Sequence, residues 1–225
     1  MLKSGVRRRK DFMLKVVVFD SGYGGELFAD YLSEEIGTIE VIRVIDWRNA
    51  EDLQKSARLA RKITENTLRP YLGQVDLIVF ANYLLSVTSL KYFRRKYKKQ
   101  KFVGLALPQP DPAKRPVVLT TAALSRSKSF RYYSARNHLK SFILDDWPIL
   151  IDDGELGNAK FRRDLKRVKT FSPATIVLAC SQFSDLLPEL RRFFGHNLKI
   201  IDGFEDTLRE TEQILGLRGI LKKKN

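Results

Sequence analysis

One pattern constrains this chain more than any other: short apolar runs rich in Val and Ile alternate with longer amphipathic segments, and the alternation restarts after Pro108-Gln-Pro-Asp-Pro112. Three prolines in five residues continue neither a helix nor a strand ladder, so this stretch predicts a linker. Before it, strands are expected at 16–19, 39–45, 77–81 and 102–107, with helices over 26–36, 49–72 and 89–99. After it, the same reading gives strands at 117–119, 148–151, 175–179 and 198–201, and helices over 134–142, 156–169, 185–194 and 204–217. Strands that alternate with helices predict parallel sheets covered on both faces. The expected fold class is therefore α/β: two similar α/β domains with mostly parallel sheets facing each other across a cleft. The expected units are 13–107 plus 203–221, and 113–202. Residues 1–12, with Arg7-Arg8-Arg9-Lys10 ahead of the first apolar run, are expected to be a disordered extension.

The two halves echo each other. Leu77-Ile-Val-Phe-Ala-Asn82 parallels Thr175-Ile-Val-Leu-Ala-Cys180, and Val17-Val-Phe-Asp20 parallels Val117-Val-Leu-Thr120. Open α/β sheets bind ligands at the carboxyl ends of their strands. If the halves face each other, Asp20 and Asn82 look across a cleft at Thr121 and Cys180.

Cys180 is the only cysteine in 225 residues, which excludes an internal disulfide and any multi-cysteine metal site. A reducing cytosol fits such a chain best. The thiol leaves a strand where a turn into a helix is expected, and N–H groups and a helix dipole there would favour the thiolate. A small buried hydrophobe is the competing reading of a lone cysteine. His138 and His196 are isolated in sequence and read as surface or capping residues. Asp46, Asp152 and Asp202 follow expected strands, where turn and cap roles are the default. Gly22-Tyr-Gly24-Gly25 is not a dinucleotide-binding fingerprint, because Leu27 stands at the last glycine position. The net charge of +15 makes nucleic acid a candidate partner, but the basic residues are scattered on expected helix faces without a nucleic-acid-binding motif, and a solvated surface is preferred.

These blocks carry a family resemblance. Phe19-Asp-Ser-Gly-Tyr-Gly-Gly25 resembles the opening F-D-S-G-x-G-G of glutamate racemases, and Ile176-Val-Leu-Ala-Cys-Ser-Gln-Phe-Ser-Asp-Leu-Leu187 resembles their I-L-G-C-T-H-Y-P-L-L. Ile78-Val-Phe-Ala-Asn-Tyr-Leu-Leu-Ser86 stands where the family has I-A-C-N-T-A-S. Leu119-Thr-Thr-Ala-Ala-Leu-Ser-Arg-Ser127 is similar to L-A-T-x-x-T-V-x-S, and Ile200-Ile-Asp-Gly-Phe-Glu205 to I-D-S-G-E. The blocks keep family order from Val16 to about Leu217.

The resemblance implies a cofactor-independent amino-acid racemase, an isomerase of cell-wall (peptidoglycan) biogenesis. In such enzymes two thiols flank the substrate α-carbon, one removing a proton and the other returning it. It implies a catalytic role for Cys180 and substrate contacts for Ser21, Thr121 and Ser181. Asp20 matches the acid that supports the first thiol. That first thiol is replaced by Asn82, whose amide does no proton transfer near neutral pH. The family's histidine after the second thiol is Gln182, its N-T pair is Tyr83-Leu84, and its second block threonine is Leu124. Asp20 is then the best local candidate for the missing base, with Asn82, Tyr83 and Gln182 lining the substrate site. Three functions compete: a racemase using Asp20 and Cys180, a one-thiol decarboxylase or isomerase of small dicarboxylates, and a non-catalytic homologue that binds a small acid or an anionic partner. No cofactor, metal or membrane is expected. A small carboxylate or amino acid and a second copy of the chain are the expected partners.

Overall fold

The computed structural model describes residues 13–217. The expected extension over 1–12 and residues 218–221 of the expected first unit lie outside the described residues. The first half runs β1 (Leu14–Asp20), α1 (Tyr23–Glu35), β2 (Ile39–Ile45), α2 (Asp52–Lys55), α3 (Ala57–Leu68), β3 (Leu77–Phe80), α4 (Tyr83–Lys96) and β4 (Phe102–Gly104). The second runs β5 (Pro116–Thr120), α5 (Ala122–Ser125), α6 (Lys128–Arg136), β6 (Lys140–Ile143), α7 (Trp147–Asp152), α8 (Ala159–Lys169), β7 (Thr175–Ala179), α9 (Leu187–Phe194), β8 (Lys199–Ile201) and α10 (Phe204–Leu215). The sheets have orders β2-β1-β3-β4 and β6-β5-β7-β8, parallel throughout. The second is the first repeated strand for strand, so the short sequence repeats are the traces of a repeated topology.

Side-chain alternation along the strands builds three apolar layers. Val17, Phe19, Ile78 and Phe80 face an outer layer under α3 and α4, while Ile176, Leu178, Val117 and Leu119 face the matching layer of the second half. The intervening residues Val16, Val18, Val79, Val118, Val177 and Ala179 share one cluster with Phe28, Phe130, Tyr133 and Phe204. A single core thus runs between the two sheets. Helix α10 follows the second sheet but packs on the first: Phe204 and Leu208 join the shared core, Thr207 Oγ1 accepts the Ala106 N–H at 3.0 Å, and Arg94 pairs with Glu210 at 2.7 Å.

Four expectations are corrected. Residues 148–151 form no strand. Pro148 lies at the start of α7, and Trp147, Leu150 and Ile151 are buried while Ile149 is 60% exposed, the spacing of a helix. The strand is β6, which overlaps the end of the stretch expected to be helical; the helix instead starts at Lys128, where the Ser127 hydroxyl accepts the Phe130 N–H, and ends at Arg136 ahead of the left-handed His138. The helix expected over 49–72 is broken at Ser56, whose extended backbone separates α2 from α3 and whose hydroxyl caps α3. Helix α4 starts at Tyr83 instead of residue 89, since Asn82 caps it and the hydroxyls of Ser86 and Thr88 fold back onto the carbonyls of Asn82 and Leu84.

Candidate active site

The carboxyl ends of β1, β3, β5 and β7 deliver Asp20, Asn82, Thr121 and Cys180 to one cleft of ≈260 Å³ between the halves. Ser21, Tyr83, Ser181 and Gln182 line the same cleft. All eight residues singled out in the sequence are therefore neighbours in space, although they span four separate blocks of chain. The remaining wall includes Trp47, Leu53, Leu84, Leu124 and Pro148, and among the described residues it holds no Lys, Arg or His.

Asp20 ends β1, is only 2% exposed, and collects three donors: the Ser21 N–H at 2.6 Å and Asn82 Nδ2 at 2.8 Å on Oδ1, and Ser181 Oγ at 3.1 Å on Oδ2. Each donor favours the carboxylate, but loss of hydration favours the neutral acid. Burial wins, and the carboxyl is pushed up to about 7. An acid poised there both takes and gives a proton near neutral pH.

Cys180 keeps some solvent contact through the cleft yet lies deep between the halves. Its backbone is extended and caps the 3-10 segment Ser181–Leu186. The expected thiolate is not favoured. Desolvation pushes the thiol up to about 12 against the opposing backbone N–H groups of Gln182 and Phe183, with the Asp20 charge acting in the same direction as burial. At neutral pH the group is a thiol, able to donate a proton rather than to accept one.

Asn82 uses both ends of its amide. Oδ1 accepts the Leu85 N–H at 3.0 Å as the cap of α4, and Nδ2 holds Asp20. Tyr83 turns its hydroxyl away from solvent to accept the Gly203 N–H at 2.7 Å, and burial raises its phenol well above the usual range. Gln182 donates to Asp152 Oδ1 at 2.6 Å and to the Pro148 carbonyl at 3.0 Å. Asp152 is a second carboxyl on the cleft wall, raised by burial and by the neighbouring Asp153. Its cleft position was missed in the sequence, because its partner Gln182 lies 30 residues away and nothing local distinguishes it from a turn residue. Glu51 and Asp52 do not line the cleft, whereas Leu53 does. His138 adopts left-handed backbone after α6, a turn role, and His196 is exposed. Helices α1 and α4 both begin at the cleft, directing N-terminal N–H groups and positive dipole ends toward it.

Paired four-stranded parallel halves meeting at such a strand-end cleft are the fold of solved glutamate and aspartate racemases. In sequence the chain is similar to glutamate racemases. It is 24% identical over 204 residues to the glutamate racemase of Clostridium novyi, covering 82% of this chain and 77% of that protein. The Escherichia coli glutamate racemase, solved in complex with L-glutamate and the activator UDP-MurNAc-Ala, superposes with a TM-score of 0.74 at 21% identity, covering 91% of this chain and 83% of that one. The aspartate racemase of Picrophilus torridus shares the fold at a TM-score of 0.56 and 16% identity, covering 94% and 96%. No family model matches the sequence.

Proposed function

We propose that the cleft catalyses cofactor-independent proton transfer at the α-carbon of a small amino or carboxylic acid, with Asp20 as base and Cys180 as acid. The observation that carries this reading is the buried Asp20 carboxyl, held at about 7 in the same cleft as a neutral thiol. The two groups come from different halves, so a substrate between the halves is bracketed by them. Near and above pH 7 the Asp20 carboxylate removes a proton, and the Cys180 thiol returns one to the carbanion. Such a pair does with one carboxyl and one thiol what two thiols do in the glutamate racemases it resembles. Helix N-termini and Thr121 offer N–H and O–H donors to a substrate carboxylate, the charge that develops beside the carbanion.

One observation favours a second chemistry at the same site. Leu84 and Leu124 line the cleft beside Thr121 and make it apolar, an environment that promotes loss of a carboxylate by desolvation. The test is α-hydrogen exchange in D₂O, followed by ¹H NMR with D- and L-amino acids and malonate-like acids. The wild-type chain is expected to exchange or decarboxylate at least one of them, and Asp20→Asn and Cys180→Ala to lose that activity. Complete inertness of wild type toward the panel leaves a binding protein and sinks the catalytic reading.

A further inference from the structure

The first half carries a second concave surface that has no part in the cleft. Helices α3 and α4 pack their apolar sides into the outer layer through Ala60, Leu68, Leu85 and Phe93. Their outward faces leave two adjoining hollows of ≈490 and ≈340 Å³ that share Arg61 and Tyr92. The walls are Arg58, Arg61 and Lys62 from α3, and Lys91, Arg95 and Lys96 from α4. The α3 cations recur at helical spacing and form one continuous edge. Among the described residues Glu65 is the one acid on these walls, and Lys96 Nζ already neutralises it at 2.6 Å. Arg58, Lys62, Lys91 and Arg95 are exposed and take part in no ion pair among the described residues.

The centre of the groove is ordered by the chain itself. The Arg61 guanidinium lies 5.1 Å from the Tyr92 ring centroid and donates to the Thr88 carbonyl, while its buried Nε has no acceptor. Lys96 Nζ lies 5.6 Å from the same ring. Six cations converging on a groove with one compensated acid repel each other unless an anion lies among them. A single small anion would meet only part of such a surface. From Arg58 to Glu65 the α3 edge runs about 10 Å, a length over which a nucleic-acid duplex presents several phosphates. Because the Tyr92 ring already holds two cations, the groove suits phosphodiester contacts better than base stacking.

We propose that the α3–α4 groove binds the phosphodiester backbone of duplex nucleic acid without reading its sequence. The test is fluorescence anisotropy with a short labelled DNA duplex over a KCl series. About five phosphate contacts predict a slope of log K against log salt near −4.5. The variant R58Q/K62Q/K91Q/R95Q should bring the slope to about −1 and weaken binding about tenfold or more at moderate salt. The variant R162Q/R163Q/K166Q/K169Q removes the same charge from the exposed face of α8, outside the groove, and should bind like wild type. Should the first variant fail to fold, the pairs R58Q/K62Q and K91Q/R95Q carry the same test, each bringing the slope to about −2.7. Absence of duplex binding, equal weakening in the α8 variant, tighter binding to single strands, or binding to anionic vesicles alone would each overturn the proposal.

Discussion

Ser181 Oγ donates to Asp20 Oδ2 at 3.1 Å, a bond between the end of β1 in one half and the residue after Cys180 in the other. The halves touch at the chemistry itself. Beside this bond, a Cβ on Gly24 would run into Ser181 Oγ and lie 2.7 Å from the Gln182 backbone nitrogen, so α1 approaches the thiol segment with no space for a methyl group.

That close approach makes Gly24→Ala a test of the seam. The added methyl collides with backbone as well as side chain, and overpacking of this kind costs about 1–3 kcal/mol. Urea unfolding should register the loss, and the variant should lose proton-transfer activity with it through displacement of Ser181 from Asp20. Unchanged stability would show that the seam yields freely.

Asp20 sets a pH dependence with a definite sign. Its carboxyl ionises near 3.8 when unfolded and near 7 when folded, so the folded chain binds the extra proton between these values. This contribution is fully present below about pH 4, is lost as pH rises toward 7 and stays lost above it, amounting to up to about 4 kcal/mol. Asp20→Asn removes the titration and should flatten that part of the stability curve, raising stability at pH 8 relative to wild type. Denaturant midpoints at a series of pH values read it; identical curves for the two proteins would refute the buried-acid assignment.

Asn82→Ala acts on two links at once. It removes the cap of α4, at a cost of about 1 kcal/mol, and takes from Asp20 a donor that holds its pKa down. The Asp20 titration should move further upward from about 7, visible in carboxyl ¹³C shifts. A downward move would mean that the amide does not support the carboxylate.

The single cysteine gives a clean chemical readout. With its thiol near 12 instead of 9, Cys180 at pH 8 holds about a thousandfold less thiolate than an ordinary thiol, so alkylation by iodoacetamide should be slow and should keep accelerating well above pH 9. A rate that levels off near neutral pH would reveal an activated thiolate instead.

Much of this was legible in the chain. Buried strands such as Val16-Val-Val-Phe19 and Thr175-Ile-Val-Leu-Ala179 are apolar on both faces, so their runs stand out, and the residues that end them mark the cleft. Pro148-Ile-Leu-Ile151 misled because an apolar β-branched run is the same string on a buried strand and on a one-and-a-half-turn helix; packing of Trp147 and Leu150 decides between them. The thiol state was misjudged for a related reason. N–H groups near Cys180 are a local property, whereas the desolvation that outweighs them is set by tertiary packing, with Cys180 lying against the core of the second half. The Gln182–Asp152 contact is likewise long-range.

The most direct test of the Asp20–Cys180 pair is the pH profile of α-deuterium incorporation for the best substrate in the panel. A base near 7 predicts a rate that climbs with pH through about 7 to a plateau reaching beyond pH 8, since the thiol ionises only near 12, with the rise abolished in Asp20→Asn. A profile flat from about pH 5.5 to 8.5, or one that Asp20→Asn leaves unchanged, would contradict it.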